Sequence, residues 1–178
     1  MRVIVKDDSG QGCSVAGPER LDLREEPAGI DRIDAARSYP AFRGLLLNLN
    51  SDESPFATFG CKVWTEDGEG AEPIVFASRI DLVISQGERL SRAQYHEMAT
   101  RLAGLLEREA GDAVRAELHI SPAQFTGGFE GFCLRLLLFA RGAAQDQAQL
   151  RWSLGLVRVQ QALLFLARAI RQNRVSIE

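Results

Sequence analysis

The sequence has few of the residues from which metal and redox sites are built. It contains two histidines and three cysteines, and the cysteines, Cys13, Cys61 and Cys133, are far apart with no CxxC or Cys/His spacing. Structural zinc sites take four such ligands at characteristic spacings. The sequence therefore predicts no metal or cofactor site, and an odd number of scattered cysteines favours reduced thiols in a cytoplasm.

Long apolar runs and an excess of positive charge are also absent. Arginines interrupt the most apolar segments, and none has the roughly 18 uninterrupted residues that a membrane span needs. The opening MRVIVKDDSG returns to charge after three apolar residues, which is unlike a secretory signal. A net charge of −3 and a pI near 5.5 provide no overall basic field for phosphates. We expect a cytoplasmic protein that binds no membrane, and the charge argues against nucleic acid.

The composition, with 46% hydrophobic and 25% charged residues, is that of an ordinary globular protein. A chain of 178 residues can bury one sizeable core and is short for two domains. We predict a single domain over residues 1–178, in which residues 1–40 form a peripheral hairpin and a short helix.

Alternating apolar residues predict most of the strands. In residues 42–50, FRGLLLNLN, the alternation puts Leu45, Leu47 and Leu49 on one face of a strand. The segments FGCKVWTEDGEG, IVFASRIDLVIS and RAELHIS alternate in the same way. FEGFCLRLLLFAR is apolar at most positions of both faces, which predicts a central strand.

Two segments have apolar residues at steps of three and four, which predicts helices in place of strands. Ser91 and Gln94 have the spacing of a capping box, and an apolar stripe follows at steps of three and four residues. A second, longer helix covers residues 150–170. The order of these elements predicts an α+β fold, with a mostly antiparallel sheet of five to seven strands and two main helices packed on it.

The last helix is apolar nearly all the way round. At 100° per residue, one stripe runs from Trp152 to Ile170 and suits packing on a sheet. The opposite side of the helix forms a second apolar face, for which three alternatives remain open. Another part of the chain covers it, or it is an interface with a second copy or a different protein, or it forms a groove for a cofactor or lipid. The candidate interface residues on this helix are Leu150, Leu154, Val157, Leu164 and Phe165. Trp64, on an outer strand face, is a further candidate anchor.

Motifs of nucleotide binding and nucleophilic catalysis are missing, since the chain has no GxGxxG, no GK[ST] loop and no GxSxG elbow. His119 shares an outward strand face with Glu117, so a general base with an orienting carboxylate could be built there. With Arg135 these residues are the polar candidates for a pocket between sheet and helices.

These observations favour a non-enzymatic interaction module: an adaptor, a chaperone-like protein or a neutralising partner that works through the last helix. The element order over residues 31–172 resembles that of bacterial secretion chaperones, and the resemblance implies a helix-mediated dimer that holds clients on its sheet. An immunity protein or a subunit of a larger bacterial complex fits the same features. The alternatives are a ligand-binding or enzymatic domain, and an accessory subunit of a nucleic-acid-processing complex that uses the arginines of the last helix.

Overall fold

The computed structural model describes residues 1–7, 13–14, 22–84, 90–107, 113–125 and 129–175. Segments with alternating apolar residues form the strands, and segments with a three- to four-residue apolar period form the helices. The strands are β1 (Arg2–Asp7), β2 (Cys13–Ser14), β3 (Phe56–Asp67), β4 (Ile74–Ile84), β5 (Val114–Phe125) and β6 (Phe129–Gly142). A 3₁₀ helix (Pro27–Arg32) precedes the α-helices α1 (Asp34–Ser38), α2 (Pro40–Leu49), α3 (Arg92–Glu107) and α4 (Gln145–Val175).

Five long strands form one sheet in the order β1-β5-β6-β4-β3, and the two-residue β2 pairs with β5. The α+β content, the central position of β6 and the long C-terminal helix are confirmed. The expected mostly antiparallel sheet is wrong, because β1 and β2 run parallel to β5 and the sheet is mixed. Alternation of apolar residues indicates which face of a strand is buried but carries no information about its direction.

The N-terminal segment also differs from the expected hairpin. β1 is an edge strand of the main sheet and pairs with β5, whereas residues 8–12 and 15–21, within the segment predicted to form the hairpin, lie outside the described residues. The expected short helix is α1. Among the described residues there are four α-helices, two more than the main helices that the sequence predicted.

Residues 42–50 form a helix, which corrects the strand predicted there. Phe42, Leu45, Leu46 and Leu49 follow helical spacing and are all buried, whereas Leu47 is exposed. Pro40 stands at the first turn of α2, where its missing N–H costs no helical hydrogen bond. Pro40 therefore begins this helix.

The capping box of α3 is confirmed. The Ser91 N–H donates to Oε1 of Gln94 at 2.8 Å, and the Gln94 N–H donates to Oγ of Ser91 at 3.3 Å. The helix then buries an apolar face that includes Tyr95, Met98 and Leu102.

Trp152 on α4 is at the centre of the core between the helices and the sheet. It is fully buried, and its indole Nε1–H donates to Oγ of Ser78 on β4 at 2.9 Å. Aromatic rings surround the indole, with centroids 5.3 Å away for Tyr39, 5.9 Å for Phe42 and 4.8 Å for Phe76. Trp152 is therefore a core residue, and its hydrogen bond fixes α4 to the sheet.

Candidate functional site

The two faces of α4 have different surroundings. The stripe that was expected to pack on the sheet does so: Trp152, Leu156, Val159, Leu163 and Leu166 are buried, and Ile170 at its end is partly buried. This packing holds the helix in one rotational setting about its axis. The opposite face is consequently turned away from the sheet.

That opposite face carries five exposed large apolar side chains, which we call the α4 surface. The exposed fractions are 62% for Leu150, 56% for Leu154, 45% for Val157, 40% for Leu164 and 62% for Phe165. Isolated apolar side chains on a protein surface are ordinary, whereas five on one face of a helix form a candidate contact surface. No described part of the chain covers these five residues.

Part of α4 is also long and apolar enough, by length and composition, to cross a membrane, with a mean hydropathy of 1.3 over an 18-residue window within Gln145–Gln172. Only 39% of that window is buried within the protein. The core helix of a soluble protein passes the same test. The buried part of α4 includes Trp152, which is hydrogen-bonded to the sheet.

A groove of about 110 Å³ runs beside the α4 surface, between α4 and α2. Leu164 and Leu163 line one wall, and Leu45 and Leu49 line the other. Polar residues such as Asn48, Ser54 and Gln160 complete the lining, so the groove next to Leu164 is of mixed character.

The second candidate surface is the face of the sheet opposite the helices, which we call the open sheet face. Among the described residues no helix packs on it, because the buried residues of all four α-helices belong to the core on the other side. Trp64 lies on this face, as one residue of a row that also contains Ala77, Phe139 and Arg115. Trp64 thus lies on an outer strand face, as the sequence indicated, and on the other side of the sheet from the α4 surface.

A buried carboxylate lies at the centre of the open sheet face. Asp81 is only 3% exposed, and its Oδ1 accepts a hydrogen bond from Nε of Arg135 at 2.8 Å. Arg79 adds a second positive charge, with Nε 3.4 Å from Oδ2. Gly60 on β3 leaves room for this carboxylate, because a Cβ there would approach Oδ2 to 2.8 Å. The group is well compensated, as a buried charge must be.

A second buried carboxylate, that of Glu117, lies two strands away. Its Oε2 accepts from Nζ of Lys6 at 2.8 Å and from Nε2–H of His119 at 2.9 Å. Arg115 is 3.4 Å from the other oxygen. Burial by itself would raise the pKa of Glu117, but the two hydrogen bonds and the charges of Lys6 and Arg115 outweigh it, so the pKa lies below its ordinary value.

The structure thus brings the three predicted pocket residues into one neighbourhood. Glu117 and His119 are in contact, and Arg135 is directly opposite His119 in the β5–β6 register. They lie on the open sheet face, however, and not between sheet and helices, where the sequence placed the pocket. Glu117 and Arg135 are each engaged in ion pairs, which is the arrangement of a structural network more than of a free general base.

Three arginines surround a cavity of about 460 Å³ at one end of the open sheet face. Arg2 on β1, Arg115 on β5 and Arg141 on β6 line it, with Phe139 and Val75 as apolar lining. The Arg115 guanidinium lies over the Phe139 ring, 4.6 Å from its centroid. Glu66 is the acidic residue of this lining, and its Oε2 accepts from the Trp64 indole N–H at 3.1 Å.

Sequence reasoning missed this arginine cluster. Arg2 and Arg115 are neighbours only because β1 pairs with β5 in parallel. The one available signal was that each arginine occupies an outward position of its strand, as Arg115 does beside Glu117 and His119.

In the described ranges, no three histidine, cysteine, aspartate or glutamate residues come together as metal ligands would. Comparison with protein-family models, with curated proteins and with solved structures finds no match to this chain.

Proposed function

We propose that the protein is a non-enzymatic, cytoplasmic interaction module that binds another protein through the α4 surface. The observation that carries this proposal is the exposure of Leu150, Leu154, Val157, Leu164 and Phe165 on a helix whose other face is fixed in the core. Removing apolar area from water contributes roughly 25 cal/mol per Å². Covering five such side chains would therefore contribute several kcal/mol to association.

The spacing of the exposed residues suits pairing with another helix. Leu150, Leu154, Val157, Gln161 and Leu164 follow one another at alternating steps of four and three residues, which is the spacing of a coiled-coil seam. At 1.5 Å per residue the seam is about 21 Å long. A polar residue within such a seam, here Gln161, favours one register over others.

We further propose that the partner is a second copy of the chain, with the two α4 helices antiparallel about Val157. In that arrangement Leu150 of one copy lies opposite Leu164 of the other, at the edge of the groove between α2 and α4. Asp146 near the start of the helix then lies opposite Arg168 near its end. A parallel arrangement would bring the two Arg168 side chains together, so charge complementarity favours the antiparallel pair.

The native mass at micromolar concentration tests the proposal. We expect a dimer for the unmodified chain and a monomer for Leu164→Asp, because a carboxylate in the seam would be buried without a partner. Arg158→Ala, on the same helix but outside the seam, is the matched control and should remain dimeric. A Leu164→Asp chain with the mass of the unmodified one would refute the role of the α4 surface.

Charge exchange tests the orientation. Asp146→Arg alone and Arg168→Asp alone should each weaken the dimer, since each creates a like-charge contact, and the double variant should restore it. A double variant weaker than both single variants would contradict the antiparallel pair. A monomer that instead binds a different protein, and loses it with Leu164→Asp, would retain the interaction module and rule out the second copy.

A further inference from the structure

We propose that the cavity lined by Arg2, Arg115 and Arg141 binds a phosphomonoester dianion. This site is on the open sheet face, on the other side of the sheet from α4, so it is independent of the interaction proposed for the α4 surface. The proposal gives this arginine-lined cavity a class of ligand.

The first observation is a like-charge pair that the strand pairing creates. Arg2 and Arg115 are directly opposite each other in the β1–β5 register, and both line the cavity. Like charges at opposed positions of neighbouring strands destabilise a sheet. An anion between the two guanidinium groups would reverse the sign of this interaction.

The second observation is that the cavity holds more positive than negative charge, since Glu66 is the acidic residue of its lining and Arg115 is the arginine of the three that pairs with Glu117. Elsewhere on the open sheet face Lys6 pairs with Glu117, and Arg135 with Asp81. By contrast, Arg2 and Arg141 form no ion pair with any described residue of the chain. Two unpaired positive charges match a phosphomonoester, which carries about −1.5 to −2 at pH 7.

The side chains suit a phosphate in geometry as well as in charge. A guanidinium presents a planar fork of N–H donors that engages two phosphate oxygens at once. Arg115 is held over the Phe139 ring, so little of its conformational freedom remains to be lost on binding. The cavity of about 460 Å³ also has room for the organic part of a phosphomonoester, which would lie against Phe139 and Val75.

Calorimetric titration at low salt tests the site, with adenosine 5′-monophosphate and inorganic phosphate as separate probes. We expect binding of at least one probe, and a loss of affinity of about tenfold or more in the double variant Arg2→Gln/Arg141→Gln. The matched control is Lys62→Gln, which removes a charge from the same sheet face but outside the cavity. It should change the affinity by less than about twofold.

The two probes distinguish the sources of the phosphate. Tighter binding of the nucleotide would assign an organic phosphomonoester that contacts Phe139, whereas equal binding would assign free phosphate. The proposal is overturned if neither probe binds up to about 10 mM. It is equally overturned if Lys62→Gln weakens binding as much as the double variant does, or if the dicarboxylate malonate binds as tightly as phosphate.

Discussion

The hydrogen bond between Trp152 and Ser78 allows a sharp test of how α4 is held on the sheet. We predict that Ser78→Ala destabilises the protein, although it removes a single oxygen. Both residues are fully buried, and the indole N–H lies 2.9 Å from its acceptor. With the acceptor gone, the buried donor loses the hydrogen bond that satisfies it in the folded protein.

The expected cost follows from burying an unsatisfied donor, which is about 1 to 3 kcal/mol. Alanine is nearly as large as serine, so a cavity adds little to this value. For a domain of this size each kcal/mol lowers Tm by about 2 to 4 °C, which gives a shift of about 2 to 12 °C. Urea unfolding followed by far-ultraviolet circular dichroism measures the free energy without relying on tryptophan fluorescence.

A double-mutant cycle with Trp152→Phe isolates the hydrogen bond from packing. Phenylalanine has no N–H, so Ser78→Ala should cost less in that background, by about 1 kcal/mol or more. An equal cost in both backgrounds would refute the hydrogen bond as the cause. A Ser78→Ala variant within about 0.3 kcal/mol of the unmodified chain would refute the prediction as a whole.

Two further predictions concern the charges of the open sheet face. Because the folded pKa of Glu117 lies below its ordinary 4.5, its ion pairs stabilise the fold above that pH and the contribution is lost as pH falls through the folded pKa. Glu117→Gln should therefore lower the free energy of unfolding at pH 7 and matter less at pH 3; an unchanged difference would contradict this reasoning. Gly60→Ala should cost about 1 to 3 kcal/mol, because its Cβ would displace the Asp81 carboxylate from Arg135. Gly44→Ala, on an open helical position, is the control and should be neutral or stabilising in the same unfolding experiment.

The elements that were predicted well are those in which one periodicity dominates. β4 and β5 alternate over most of their length, and α3 combines a capping box with a helical stripe, so local sequence alone indicates their type. In α2 the consecutive residues Leu45, Leu46 and Leu47 satisfy both periods at once. Pro40 at the first helical turn was the local signal that favoured the helix, and the packing of α2 against α4 could not be seen from the local sequence.

The candidate surfaces also differ in how far the sequence could predict them. The α4 surface was identified because a single long helix fixes the angular positions of its own residues. Alternation also indicated that Trp64 lies on an outer strand face, but it could not show that this face and the α4 surface lie on opposite sides of the sheet. The cavity with Arg2 and Arg115 depends on a pairing between residues more than a hundred positions apart, which no single stretch of sequence encodes.

The strand order has a consequence for how the chain assembles. Two hairpins, β3–β4 and β5–β6, can close early because their strands follow one another, whereas β4 must wait for β6 and β1 must wait for β5. During synthesis from the ribosome, β1 therefore has no edge to join until β5 (Val114–Phe125) has emerged. Its backbone remains available to a chaperone, or to a neighbouring nascent chain, for all of that time.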